Sequence, residues 1–144
     1  MGGVRGVSRM GREEECELVR VLPDGTPVLR IGGVEREARV EGVELVQPPP
    51  PLYFEMLEKR LPRIGRPLRC VVRGETTGGR VLVRLFYFGW QDKSGDVWVD
   101  LAQTLIDEGL ARVSAEQFPE REEYLRRERE AKAGGERGSG PRED

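Results

Sequence analysis

Apolar and polar residues alternate in the first third of the chain, as they do in half-buried β-strands. The first alternating stretch covers residues 17–22 and ends at Pro23-Asp24-Gly25-Thr26, a turn sequence. The second covers residues 28–31 and ends at Gly32-Gly33, where two glycines accept the positive φ of a tight turn. The third covers residues 34–43. The pattern therefore predicts three strands in a meander.

The third stretch divides its residues between two faces of the predicted strand, because residues two apart share a face. One face carries charge, with Glu35, Glu37, Arg39 and Glu41. The opposite face carries Arg36, Ala38 and Val40. Because Arg39 alternates with glutamates, one interpretation is that it belongs to a cross-strand ion-pair ladder.

A proline run separates the three strands from the elements that follow. Residues 48–51 are all proline and form a stiff connector, because proline supplies no N–H to a strand ladder. Apolar residues then recur at helical spacing over residues 52–61, until Pro62 ends the helix. Two further strands are predicted at residues 68–73 and 81–88.

The last third of the chain is predicted to contain two helices. A brief extended piece at residues 97–99 leads to Asp100, a favoured N-cap residue, and Gly109 closes the helix. The last helix opens at Pro119, a favoured first-turn residue, and runs to about Ala133.

The order β-β-β-α-β-β-α-α is typical of a five-stranded barrel of the OB type with about three added helices, an α+β fold. Residues 13–133 form the predicted domain. Residues 1–12 and 134–144 contain too few apolar side chains to offset the entropy of ordering them. Both ends are therefore predicted to be disordered tails.

Composition excludes some functions. The chain has no histidine, so zinc sites and histidine-based nucleophilic triads are excluded. Its formal net charge is −2, so no overall positive field indicates a nucleic-acid binder. No apolar run approaches the length of a membrane span, and the first residues lack the apolar stretch of a signal peptide. We expect a cytoplasmic protein without a membrane partner.

Local charge is less balanced than the total. Between positions 59 and 73 the chain has six basic residues and no acidic one, which makes this run a candidate nucleic-acid-binding surface. The candidates are Lys59, Arg60, Arg63, Arg66, Arg69 and Arg73. The alternative interpretation is an ordinary solvated surface.

The only two cysteines, Cys16 and Cys70, are too few for a metal motif. They fall on strands that are neighbours in the predicted barrel, so a disulfide is geometrically conceivable. In a reducing cytosol we expect two half-buried thiols instead.

Several short motifs occur in an order that resembles the staphylococcal nuclease (thermonuclease) family. They are the turn Pro23-Asp24-Gly25-Thr26, the stretch Arg39-x-x-Gly42-Val43-Glu44, the pair Gly79-Arg80, and Gly109-Leu110-Ala111-Arg112-Val113. The resemblance covers about residues 19–132 and implies the same OB barrel.

The resemblance also implies a calcium-dependent phosphodiesterase site. In that family two aspartates hold the metal, a glutamate activates the attacking water, and two arginines clamp the phosphate. By position, Arg39 and Arg80 match the two arginines, and Glu44 matches the second aspartate. The candidate catalytic residues by resemblance are therefore Arg39, Arg80 and Glu44.

The chain departs from the family pattern at the metal and general-base positions. Gly25 stands where a metal-binding aspartate is expected, with Asp24 one residue earlier, so Asp24 and Glu44 are the candidate metal ligands. Gln47 stands at the catalytic glutamate. Because an amide has no basic oxygen at neutral pH, Gln47 can orient a water but cannot accept its proton.

We therefore expect a staphylococcal-nuclease-like module without efficient nuclease activity. Its partner is single-stranded DNA or RNA, or a protein, and the sequence leaves these open. No cofactor is expected in such a module. The alternative is a calcium-dependent phosphodiesterase that cleaves DNA or RNA with a rearranged site.

Overall fold

The computed structural model describes residues 12–61 and 67–139. These residues form, in chain order, strands β1 (Arg12–Val21), β2 (Pro27–Ile31), β3 (Val34–Val40) and β4 (Val43–Leu45), helix α1 (Pro51–Glu55, continued by a π-helical turn at Met56–Arg60), strands β5 (Leu68–Glu75), β6 (Val81–Asp92) and β7 (Gly95–Asp100), helix α2 (Leu101–Asp107), strand β8 (Ala111–Val113) and helix α3 (Arg121–Ser139).

Six strands form one sheet in the order β3-β2-β1-β5-β6-β7, and all neighbours in this order are antiparallel. A further, parallel pairing joins β3 to β6, from Ala38 opposite Val81 to Val40 opposite Val83. Because this pairing brings β3 back onto β6, the sheet curls into a barrel-like ring. Strands β4 and β8 form a separate antiparallel pair.

The core lies inside the ring and between the ring and the helices. Leu29, Val83 and Leu85 are completely buried strand residues. Helices α1 and α2 add an apolar face each, and the apolar face of α1 is why helical spacing in the sequence predicts that helix. The buried helical residues are Tyr53, Met56 and Leu57 from the first and Leu101, Ala102, Leu105 and Ile106 from the second.

Both cysteines belong to this core and are present as thiols. Cys16 lies on β1 and Cys70 on the adjacent strand β5. A hydrogen bond with Cys70 and burial raise the pKa of Cys16 above its ordinary value. The predicted thiols are therefore buried more completely than expected, and they sit on neighbouring strands.

The mixed α+β architecture with a barrel-like sheet and three helices confirms the coarse fold prediction. Asp100 caps α2 as predicted, since its Oδ1 accepts a hydrogen bond of 3.0 Å from the amide of Ala102. The third strand was predicted to reach residue 43 but ends at Val40, because Gly42 adopts a positive φ of 91°. The short strands β4 and β8 were not predicted.

The described residues reach into both predicted tails. Strand β1 begins at Arg12, and α3 continues to Ser139, beyond the predicted boundary at residue 133. The rest of the predicted tails, residues 1–11 and 140–144, lies outside the described residues. Within the described part of the chain, no helix combines the length and apolar character that crossing a membrane requires.

Candidate functional site

A pocket of about 160 Å³ opens at one end of the ring. Its lining comes from four elements, which are strands β2, β3 and β4 and helix α1, and from three connecting segments: the β1–β2 turn, the loop after β4 and the loop before β6. Every residue that the sequence proposed for catalysis or metal binding lies in this lining, and so does Gln47. The polar residues of the lining include Asp24, Arg39, Glu44, Gln47, Tyr53 and Arg80.

The β1–β2 turn is held rigidly. The amide of Thr26 donates to Oδ1 of Asp24 over 2.9 Å, and this hydrogen bond is the main reason why the pKa of Asp24 is below its ordinary value. The hydroxyl of the buried Tyr53 donates to the carbonyl of Gly25. Gln47 donates its side-chain amide to the carbonyl of Asp24 over 3.3 Å. Helix α1 and the loop before it therefore fix the turn that carries Asp24.

Arg80 enters the pocket from the loop between β5 and β6. The loop closes on itself, since the amides of Thr76 and Gly79 donate to the carbonyls of Arg80 and Thr76 over 2.8 and 3.0 Å. The guanidinium of Arg80 then contacts two carboxylates. Its Nε lies 3.3 Å from Oε1 of Glu37, and its Nη2 lies 3.5 Å from Oδ2 of Asp24.

Arg39 enters the pocket from β3 and is also paired. Its Nη1 lies 2.7 Å from Oε2 of Glu116, a residue of the segment between β8 and α3. Because Glu116 lies outside the strands, this ion pair is not the cross-strand pair that was one interpretation of Arg39. Arg39 keeps 29% of its side chain exposed, so solvent and ligands still reach it.

Glu44 lies on β4 directly opposite Arg112 of β8. The two side chains form an ion pair of 3.4 Å in which they are 48% and 75% exposed. An exposed pair of this length is weakly held. Glu44 therefore stays accessible from the pocket.

The donor set of the pocket does not fit a calcium site of the kind that the resemblance implies. Calcium takes six to eight oxygen ligands. The pocket lining supplies two carboxylates, Asp24 and Glu44, and each is already paired with an arginine. In the described residues no group of three or more acidic, cysteine or histidine side chains is placed to hold a metal.

The predicted basic surface is divided by the structure. Lys59 is exposed, and Arg69 lies on β5, where it pairs with Glu13 over 3.1 Å and covers the ring of Trp98. Arg73 needs a correction, because it is buried and only 6% of its side chain is exposed, so it cannot meet a phosphate. Arg63, Arg66 and the side chain of Arg60 lie outside the described residues.

Arg73 belongs instead to a buried charge cluster that sequence analysis missed. It contacts Glu41 at 3.4 Å and Glu120 at 3.3 Å. Arg84 contacts Glu120 at 3.1 Å and Asp100 at 2.8 Å. Burial is the main cause that raises the pKa of Glu41 above its ordinary value.

The cluster extends to the C-terminal helix α3. The hydroxyl of the buried Tyr124 in α3 donates to Oδ2 of Asp100 over 2.7 Å. Glu120 lies just before the same helix. The cluster therefore anchors the segment that carries Glu116, the partner of Arg39.

Comparison with known proteins adds no identification. The chain matches no protein-family model, and no curated protein was found to be similar to it.

Proposed function

We propose that this protein is a staphylococcal-nuclease-like OB-fold module that binds single-stranded nucleic acid and does not hydrolyse it efficiently. One observation carries the proposal: Arg39 and Arg80, which come from separate elements, line the same pocket. The ring of β1, β2, β3, β6 and β5 supports the OB assignment, because an OB barrel also has five strands.

The chemistry of the pocket supports a phosphate ligand. Arginine presents a planar fork of N–H donors that matches phosphate geometry. Pockets for drug-sized ligands usually measure about 300–1,000 Å³, whereas this one measures about 160 Å³. The pocket therefore suits one phosphate of a longer chain, while the remainder of the chain lies on the surface.

The same pocket gives little support to hydrolysis. Gln47 replaces the expected general base, and its amide already donates to the carbonyl of Asp24. The carbonyl of Gly25, which replaces a carboxylate ligand, accepts a hydrogen bond from Tyr53. Binding without efficient turnover is the function that these contacts favour.

A binding measurement tests the proposal. We expect a labelled single-stranded oligonucleotide to bind to the protein at low salt. Fluorescence anisotropy of the label measures this binding. The double variant Arg39→Ala/Arg80→Ala should bind about 10- to 100-fold more weakly, because it loses two charge-assisted contacts. The slope of log K against log salt concentration should become less negative by about 1.4, because each phosphate contact with a single strand contributes about 0.7 to the slope and two contacts are lost.

The control for this measurement is Arg20→Ala/Arg126→Ala, which changes the net charge equally. These arginines form exposed ion pairs with Glu35 and with Glu123, and neither lines the pocket. Equal losses in both double variants would contradict a specific site. Absence of salt-sensitive binding by the parent would reject nucleic acid and favour a protein partner.

A calcium-dependent phosphodiesterase is the second candidate, because Asp24, Glu44, Arg39 and Arg80 line one pocket. We expect no cleavage of single-stranded DNA or RNA above background, in calcium or in chelator, because the donor set is too small for a calcium site. Gel analysis of the products checks this. Cleavage that requires calcium and disappears in Arg39→Ala would establish the enzyme instead.

A further inference from the structure

Glu116 forms an ion pair with Arg39, one of the two arginines that the proposed function assigns to the phosphate. Its carboxylate Oε2 lies 2.7 Å from Nη1 of Arg39, whereas the two carboxylate contacts of Arg80 measure 3.3 and 3.5 Å. Arg39 is 29% exposed and Glu116 is 49% exposed. The contact is therefore open to solvent and involves an arginine that lines the pocket.

The segment that carries Glu116 is attached on both sides. On one side the amide of Ser114 donates to the carbonyl of Gly42 over 2.8 Å. On the other side Glu120 contacts Arg73 and Arg84 in the buried charge cluster. Between these attachments, Glu116 is held beside Arg39, so forming the contact costs less side-chain and backbone entropy than a contact from a loose loop.

The ring of Phe118 adds a third attachment. It packs against the ring of Tyr124 with 5.2 Å between the ring centroids. It also lies against Gly42, where an added Cβ would come within 2.7 Å of its ring. The backbone on both sides of Glu116 is thus fixed to buried parts of the molecule.

We propose that Glu116 is a built-in competitor of the phosphate ligand, which holds Arg39 until a ligand displaces its carboxylate. The proposal rests on the proposed function of the pocket. A carboxylate and a phosphate both present oxygens to the same guanidinium, so they compete for it. Once displaced, the carboxylate remains close to the phosphate and repels it. Glu116 therefore weakens binding and restricts it to ligands that supply additional contacts.

Glu116→Gln tests the proposal in the oligonucleotide titration described above. Because the substitution removes the competing charge and keeps the shape, we expect binding at low salt to tighten about three- to tenfold. The matched control is Glu17→Gln, which makes the same charge change at a 2.8 Å ion pair with Arg30 outside the pocket. The control should change binding less than about twofold.

The effect of Glu116→Gln in a protein that already lacks Arg39 distinguishes competition at Arg39 from a general charge effect. In Arg39→Ala, the additional change Glu116→Gln should bring a clearly smaller gain, because competition for the guanidinium is lost and only the repulsion between carboxylate and phosphate remains. An equal gain in both backgrounds, no gain in the parent, or a loss in the parent would each overturn the proposal. Thermal unfolding of each variant checks that the fold is retained.

The outcomes also distinguish this proposal from the proposed function. If the parent binds through Arg39 and Arg80 but Glu116→Gln does not tighten binding, only the competitor proposal fails. If neither the parent nor Glu116→Gln binds with salt sensitivity, both proposals fail. If only Glu116→Gln binds, the proposed function fails for the parent, while the gain supports Glu116 as a competitor at the pocket.

Discussion

Replacement of Arg73 by methionine is expected to lower the free energy of unfolding by about 3–5 kcal/mol, because it leaves a buried carboxylate without the cation that it faces. The side chains of Arg73 and Glu41 are only 6% and 9% exposed. Methionine keeps most of the apolar stem of arginine, so the loss reports mainly on charge. Urea unfolding at pH 8 measures it.

The same variant should show a pH dependence with a definite sign. Burial already raises the pKa of Glu41 above its ordinary value of 4.5, and Arg73 opposes that rise. Without Arg73 the pKa should rise further. A carboxyl whose pKa is higher in the folded state stabilises fully below its unfolded pKa and loses this contribution as the pH rises through the folded pKa. The penalty of Arg73→Met should therefore shrink as the pH falls from 8 towards 4.5.

Arg36→Met is the control for this prediction. Arg36 pairs with Glu75 over 2.8 Å, but the two side chains are 34% and 58% exposed. An exposed pair contributes about 0–1 kcal/mol. Similar losses in Arg73→Met and Arg36→Met, or a loss in Arg73→Met that does not vary with pH, would contradict the interpretation of a buried cluster.

Replacement of Gly42 by alanine is expected to cost about 2–5 kcal/mol of unfolding free energy, through backbone strain and overpacking together. Gly42 has a φ of 91°. A Cβ at this position would lie 2.7 Å from the ring of Phe118 and 2.9 Å from the ring of Tyr124. Thermal or urea unfolding of the purified variant provides the measurement.

Gly33→Ala separates the two causes. Its φ of 83° imposes similar backbone strain, but nothing lies within 4 Å of an added Cβ. We expect a loss of about 1–2 kcal/mol from strain alone. A loss as large as that of Gly42→Ala would show that packing against Phe118 and Tyr124 contributes nothing.

Local sequence patterns predict the elements whose neighbours lie nearby in the chain. The Gly32-Gly33 turn and the Asp100 cap are both fixed by residues within a few positions, and both are found as predicted. The strand pattern also assigns Ala38 and Val40 correctly to one face, since both are buried. Such features need only propensity and periodicity.

The patterns fail where distant residues decide the structure. Alternation placed Glu41 on a charged strand face, yet it is buried against Arg73 and Glu120. Nothing in the local sequence marks this contact, because its partners belong to other elements. The same reason explains why the prediction of Arg73 as a surface residue of the basic run was wrong.

The order of the nuclease-like motifs predicted which residues line the pocket better than it predicted their ion-pair partners. It selected Asp24, Arg39, Glu44 and Arg80, and all four line one pocket. It did not indicate Glu116, which reaches Arg39 from the segment before α3. An acidic residue in a loop carries no periodic signal, so its partner becomes visible only when the chain is folded.

The parallel pairing of β3 with β6 also affects how the molecule meets other chains. A strand edge with unpaired N–H and C=O groups is a template for association with another strand. In the curled sheet, the outer edge of β3 is covered by β6 over the residues from Ala38 to Val40. Among the strands of the six-stranded sheet, the short β7 then presents the other terminal edge, with six residues. Ring closure thus reduces the length of backbone through which copies of this protein can aggregate edge to edge.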